Sequence, residues 1–230
     1  MIKTIAFDAD ETLWGNNRHY RKTRLTLGKL IAPDNPQQIV DELHLLERKN
    51  VDLYGFGVRS IMLNMVELAA NHQANPQQFS EIIAIGKQLL QQSYTLFNGV
   101  EQSLKILKNQ GYTIICVTKG DLKDQKYKMV STAIAQYFDH IEVVVHKDIS
   151  EWQHLFKILK LKPQETIMIG DSLSNDILPA LELGMYGIWI PQALKPHFEE
   201  GENIKVPTDN PQFKELSNIT QVINYIRSIP

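Results

Sequence analysis

The sequence has one cysteine in 230 residues, Cys116, which excludes an intramolecular disulfide. Cys116 sits in the apolar run Tyr112 to Val117, where a small buried hydrophobe fits better than a reactive thiol. Long apolar stretches are lacking as well. No segment approaches the roughly 20 apolar residues that cross a bilayer, and Met1 to Phe7 lacks the apolar run and small-residue cleavage site of a signal peptide. No membrane partner is expected, and the expected location is the cytoplasm. Charge of one sign is also lacking, with 24 Lys and Arg against 26 Asp and Glu. The basic residues are scattered rather than gathered in a stripe, so nucleic acid is not an expected partner. Internal repeats and low-complexity tracts are absent. What remains is the composition of an ordinary globular protein, long enough for one large α/β domain or a core with a small second domain.

Short apolar runs followed at once by polar residues carry the fold reading. Ile2 to Phe7 runs into an acidic cluster, Thr113 to Val117 into Thr118, Ile141 to Val145 into His146 and Lys147, and Thr166 to Ile169 into Gly170 and Asp171. A fifth run, Gly187 to Ile190, ends at Pro191. Each reads as a buried strand delivering polar groups at its carboxyl end. Helical patterns lie between them at Val100 to Asn109, Leu122 to Tyr137, Ser150 to Leu159 and Ser174 to Leu183. Alternation of this kind predicts an α/β fold, with helices on both faces of a parallel sheet and ligands bound outside the carboxyl ends of the strands.

From about Trp14 to Gln92 the period is helical and no strand is convincing. Leu25, Leu27, Leu30 and Ile31 mark one helix, and Ile39, Leu43, Leu45 and Leu46 a second. Ile61, Met62, Met65, Val66 and Leu68 mark a third, and Phe79, Ile82, Ile83, Ile85 and Leu89 a fourth. Pro33, Pro36 and Pro76 fall at expected helix starts. The expected organisation is a core of residues 1–14 and 97–230 interrupted by a helical unit of residues 15–96, joined by two connections and able to pivot. A polar tail from Gln192 leads to a closing helix marked by Ile219, Val222, Ile223 and Ile226.

The chemistry is read first from Asp8-Ala9-Asp10-Glu11-Thr12. One residue separates the two aspartates, so an extended backbone turns both carboxylates the same way. Clustered carboxylates repel unless a cation or a proton intervenes. Gly170-Asp171-Ser172-Leu173-Ser174-Asn175-Asp176 brings two more carboxylates to a neighbouring strand end, a hard oxygen set that suits Mg²⁺. The same segment also suits simple helix capping by Ser172 or Ser174, and the two uses coexist. Thr118 and Lys147 add the hydroxyl and ammonium that a phosphoryl group needs, with Lys119 a rival for the same oxygens.

These four segments, in this order, resemble the motifs of the haloacid dehalogenase superfamily of phosphohydrolases, and the match spans most of the core. The resemblance implies a Rossmann-like three-layer core with a helical cap inserted after the first strand. It implies a Mg²⁺-dependent phosphatase acting on a small phosphorylated metabolite, as monomer or homodimer. Asp8 would be the nucleophile that becomes an aspartyl phosphate and also binds the metal. Asp10 would be the general acid and base and lend its main-chain carbonyl to the metal. Asp171 would be a metal ligand supported by Asp176, while Thr118 and Lys147 hold the phosphoryl group. The sequence departs from the commonest pattern at Glu11, where many members have Gly, and at Asp148, where many have Pro.

In the helical unit, Tyr54-Gly55-Phe56-Gly57-Val58-Arg59 reads either as a loop that selects substrate, through Tyr54, Phe56 and Arg59, or as an ordinary interhelical turn. Arg18, His19, Tyr20, Arg21 and Lys22 read as an anion-greeting cluster or a solvated helix face. Among rivals, a dehalogenase has no need of Asp10. A phosphonate hydrolase needs a cap lysine such as Lys22, Lys29 or Lys49, and a mutase shares the first half-reaction. A receiver-type signalling module would lack the helical insertion and carry its phosphoacceptor in the middle of the sheet.

Overall fold

The computed structural model of the protein describes residues 1–193 and 204–229. Of the expected polar tail, residues 194–203 lie outside the described residues. After β1 (Thr4–Phe7) come α1 (Asn17–Ile31), α2 (Pro36–Tyr54), α3 (Val58–Asn71) and α4 (Pro76–Leu90). Alternation follows with α5 (Val100–Asn109), β2 (Thr113–Lys119), α6 (Leu122–Ser131), β3 (His140–Val144), α7 (Ile149–Leu159) and β4 (Thr166–Gly170). The chain continues through α8 (Leu178–Glu182), β5 (Tyr186–Trp189), β6 (Phe213–Glu215) and α9 (Val222–Ser228).

The strands form one sheet in the order β3-β2-β1-β4-β5-β6, and every pairing is parallel. Strand side chains alternate between faces. Ile5, Phe7, Ile114, Cys116, Ile167 and Ile169 point into one core with α5 and α9, while Ala6, Ile115, Val117 and Met168 pack with Trp152 and Leu155 of α7 and Ala180 of α8. The result is the expected three-layer Rossmann-like α/β fold. Cys116 is fully buried, and burial pushes its thiol well above the ordinary range.

Helices α1 to α4 bury a separate cluster that includes Leu27, Ile39, Leu43, Ile61, Met65, Ile82 and Leu89. Leu25, Leu45, Val66 and Ile83, expected on the inward stripes, are exposed. Each lies one or two positions from an inward residue, which at 3.6 residues per turn carries it off the buried face.

Other differences have local causes. The helix expected over Leu122 to Tyr137 stops at Ser131, where Thr132 turns its hydroxyl back to Lys128 O at 2.7 Å and Ala133 takes φ 59°. The helix expected from Ser174 opens as a π-helical turn, Leu173–Ile177. Pro36 and Pro76 do occupy the first turns of α2 and α4, but Pro33 follows the end of α1. β6 escaped sequence reading because it is three residues long with two of them exposed. β1 lies between β2 and β4, inside the sheet, so the sheet-position criterion does not separate this chain from a receiver module. The four helices α1 to α4, inserted between β1 and α5, do separate it.

Candidate active site

All four sequence motifs meet at the carboxyl edge of the sheet. Asp8 follows β1, and its main-chain N–H donates to Ile169 O on β4 at 2.9 Å, which ties the two acidic strand ends together. Asp8, Asp171 and Asp176 each offer a carboxylate oxygen, and these oxygens lie within 4.8 Å of one another. Lys147, just past β3, donates to Asp8 Oδ1 and, at 2.7 Å, to Asp176 Oδ1. A cation of the chain itself thereby offsets the repulsion among the carboxylates.

Burial pushes the Asp8 carboxyl up to about 7, with Asp176 and Asp10 adding to the rise and Lys147 opposing it. Burial alone would lower Lys147, but Asp176 and Asp8 outweigh it and hold the ammonium above its ordinary range. Lys147 therefore faces Asp8 and Asp176 as an ammonium. A compact set of hard oxygen donors in a buried, net-negative pocket fits a divalent cation.

The Gly170–Asp176 segment shows why its glycine matters. A Cβ on Gly170 would lie 2.2 Å from Asp176 Oδ2, so only glycine lets that carboxylate fold back over the strand end. There Asp176 Oδ2 accepts the Ser172 N–H at 3.1 Å, and Ser172 Oγ accepts the Asn175 N–H at 3.0 Å. Ser172 thus caps this turn while Asp176 is held over the strand end.

Asp10 faces elsewhere. Its Oδ1 accepts Trp14 Nε1 at 2.7 Å, and Lys128 Nζ donates to both carboxylate oxygens at 2.8 and 2.9 Å. Gln125 Nε2 lies 2.9 Å from Asp10 Oδ2, 2.9 Å from Thr118 Oγ1 and 2.7 Å from Lys119 O. The Asp10 carboxylate is not part of the three-carboxylate group, and its expected link to a metal runs through the main chain. Trp14, Gln125 and Lys128 were missed by sequence reasoning. Gln125 and Lys128 are one helical turn apart on α6 and almost wholly buried, so a polar inward stripe on a helix following Thr118 was the available signal.

Thr118 is buried at the end of β2. Lys119 turns to Asn175 Oδ1 at 2.7 Å and lies over the Phe56 ring at 4.5 Å. Both line the same cavity as Asp8, Asp10, Lys147, Asp171 and Asp176.

Both departures from the family pattern cap helices. Glu11 has φ 62°, yet Glu11 Oε1 accepts the main-chain N–H groups of Asn16 at 2.5 Å and Asn17 at 2.7 Å, at the start of α1. Burial raises the Glu11 carboxyl above its ordinary value, although the two N–H groups oppose this. Asp148 caps α7 by accepting the Glu151 N–H at 2.9 Å.

The helical unit closes the cavity, and its sequence candidates divide. Phe56 lines the cavity; Tyr54 does not, and donates instead to Glu67 Oε2 at 3.2 Å. Arg59 bridges to the core through Asp121 Oδ1 at 2.5 Å and Asp124 Oδ1 at 2.6 Å. A Cβ on Gly57, which has φ 102°, would sit 3.1 Å from Asp121 N, so the close approach this glycine permits is to the core's own α6. Arg18, Arg21 and Lys22 are exposed, the solvated-face alternative, while Tyr20 turns inward to the cavity. Lys22, Lys29 and Lys49 are exposed and do not line the cavity, which leaves the phosphonate-hydrolase reading without its lysine. The cavity holds about 170 Å³, small beside the roughly 300–1,000 Å³ of common ligand pockets.

A parallel α/β sheet with clustered carboxylates and a buried lysine at its carboxyl edge, closed by helices inserted after the first strand, defines an enzyme of the hydrolase class. The chain belongs to the haloacid dehalogenase-like hydrolases, whose family model matches residues 2–184. A glyceraldehyde 3-phosphate phosphatase from Methanothermobacter thermautotrophicus is 24% identical over 94% of this chain and 100% of that protein. Human N-acylneuraminate-9-phosphatase is 24% identical over 82% of each chain. The crystal structure of a haloacid dehalogenase-like family hydrolase from Xanthomonas campestris superposes with a TM-score of 0.85 at 26% identity, covering 99% of this chain and 91% of that one. Among the described residues no helix is long and apolar enough to cross a membrane.

Proposed function

We propose that the protein is a Mg²⁺-dependent phosphatase that hydrolyses a small phosphorylated metabolite through an aspartyl phosphate on Asp8. The observation that carries this reading is the convergence of Asp8, Asp171, Asp176 and Lys147 at one strand-end site, with Asp10 two residues from Asp8. Phosphatase names among relatives matched over most of their length support it. Those two names pair a three-carbon with a much larger leaving group, so overall likeness leaves the substrate open.

In the proposed reaction, an Asp8 carboxylate oxygen attacks phosphorus, the bond from phosphorus to the ester oxygen breaks, and Asp10 delivers a proton to the departing oxygen. Asp10 then takes a proton from water, whose oxygen attacks phosphorus, and the Asp8–phosphorus bond breaks to release phosphate. Lys147 and Thr118 hold the phosphoryl oxygens, with Lys119 beside them. Asp8, Asp171 and the Asp10 main-chain carbonyl would hold the metal with Asp176 in support, and when bound it supplies positive charge to the phosphoryl group. Trp14 and Gln125 fix the Asp10 carboxylate from two sides. Residues 15–96 act as a cap that excludes water over a core of residues 1–14 and 97–230.

The test is turnover of an aryl phosphate with Mg²⁺ by wild type, Asp8→Asn and Asp10→Asn. Turnover is expected in wild type alone. Near-normal turnover by purified Asp8→Asn would overturn the nucleophile assignment.

A further inference from the structure

We infer that the Arg24–Glu47 pair forms the leaving-group wall of the cavity and selects phosphate esters with hydroxylated, uncharged leaving groups over those carrying a carboxylate. The inference rests on the phosphatase reading above and names a substrate class for it. Arg24 on α1 and Glu47 on α2 make two parallel bonds, Nε to Oε1 at 3.1 Å and Nη2 to Oε2 at 2.8 Å. Their side chains are only 7% and 3% exposed, yet both line the cavity that holds Asp8. Among the described residues, they are the charged groups that α1 to α4 contribute to its lining.

Charge accounting then decides what the wall accepts. A substrate carboxylate needs an available cation, but the Arg24 fork is spent on Glu47, whose own carboxylate would face the newcomer. The other lining cations come from the core: Lys147 is paired with Asp8 and Asp176, Lys128 with Asp10, and Lys119, turned to Asn175 Oδ1, stands beside the phosphoryl oxygens in the reading above. A hydroxyl meets no such barrier. It donates to a carboxylate lone pair or accepts one of the guanidinium N–H groups outside the fork, without changing the charge of the pair. The Arg24 guanidinium is further fixed over the Tyr20 ring at 5.7 Å, so the wall is preorganised.

The experiment compares glycerol 3-phosphate with 3-phosphoglycerate, which share a carbon skeleton and differ by one carboxylate, in wild type and Glu47→Gln. Wild type is expected to show kcat/KM at least tenfold higher on glycerol 3-phosphate. Glu47→Gln keeps the side-chain shape but leaves the Arg24 charge unbalanced, and is expected to lower that ratio at least tenfold. A wild-type preference for 3-phosphoglycerate, or a folded Glu47→Gln variant with an unchanged ratio, overturns the inference. The wild-type ratio decides alone if the variant does not fold, which its melting curve reports. Absence of wild-type turnover on an aryl phosphate with Mg²⁺ would instead sink the phosphatase reading itself.

Discussion

Glu11 offers a quantitative test of how the loop after β1 is tied to the helical unit. Its backbone is left-handed at φ 62°, a conformation that costs a residue with a Cβ about 1–2 kcal/mol. Against this, its carboxylate satisfies two N–H groups at the start of α1, where a helix has unpartnered donors and a favourable field for negative charge. Losing such a cap costs roughly 0.5–2 kcal/mol, and buried donors left unpaired raise the loss further. The two substitutions separate the terms. Glu11→Ala keeps the strain and loses the cap, so it should be destabilised by about 2 kcal/mol. Glu11→Gly loses the cap but releases the strain, less the entropy that glycine gives up on folding, so it should fall about 1 kcal/mol short of wild type. Urea unfolding measures both, and thermal melts should move by about 2–4 °C per kcal/mol for a chain of this size. The expected order is wild type, then Gly, then Ala. An Ala variant within 0.5 kcal/mol of wild type, or one as stable as Gly, would refute the reasoning.

The buried acids predict a pH signature. The folded-state value of Asp8 lies near 7, above its ordinary 3.8, so the folded state binds the extra proton and stability falls as pH rises from about 4 through 7. In chelator, Asp8→Asn should therefore melt above wild type at pH 8, with a gap that closes toward pH 4; a gap independent of pH would contradict the assignment. Gly170→Ala should displace the Asp176 carboxylate by steric contact and raise the Mg²⁺ concentration for half-maximal activity about tenfold, read from a metal titration. Gln125→Met removes the donor that joins Asp10, Thr118 and the Lys119 carbonyl while keeping the side-chain length. A kcat loss of about tenfold or more is expected on alkyl phosphates and a smaller loss on aryl phosphates, whose leaving groups need less protonation; equal losses would point to a structural role.

The site was legible wherever a residue's position follows from the strand that carries it. Asp8, Thr118, Lys147 and Asp171 each stand at or just beyond the end of an apolar run, and parallel pairing puts such ends at one edge. That logic says nothing about residues delivered by a helix packed over the edge, which is why Gln125 and Lys128 went unseen although they hold Asp10 more extensively than its own loop does. Their signal was inverted amphipathicity: the inward face of α6 carries Asp124, Gln125 and Lys128, where an ordinary helix would bury aliphatic groups.

The same inversion explains the division within the Tyr54–Arg59 loop. Glycine and aromatic residues announce a close approach without saying to what, and here the approach is to Asp121 and Asp124 on α6, which Arg59 also grips. One helix therefore faces two ways, receiving the helical unit at its first turn and holding Asp10 one to two turns later through Gln125 and Lys128. Docking of the helical unit and orientation of Asp10 thus share a rigid element. Breaking the Arg59 bridge by Arg59→Met should then act beyond the rim. Asp124 is buried, so losing the bridge leaves a desolvated carboxylate without that partner and costs about 1–3 kcal/mol of stability. If α6 also transmits the docking, kcat on alkyl phosphates should drop several-fold in assays run well below the variant's lowered melting temperature, where the protein is fully folded. A loss confined to KM would show instead that Arg59 only helps to hold the cavity closed.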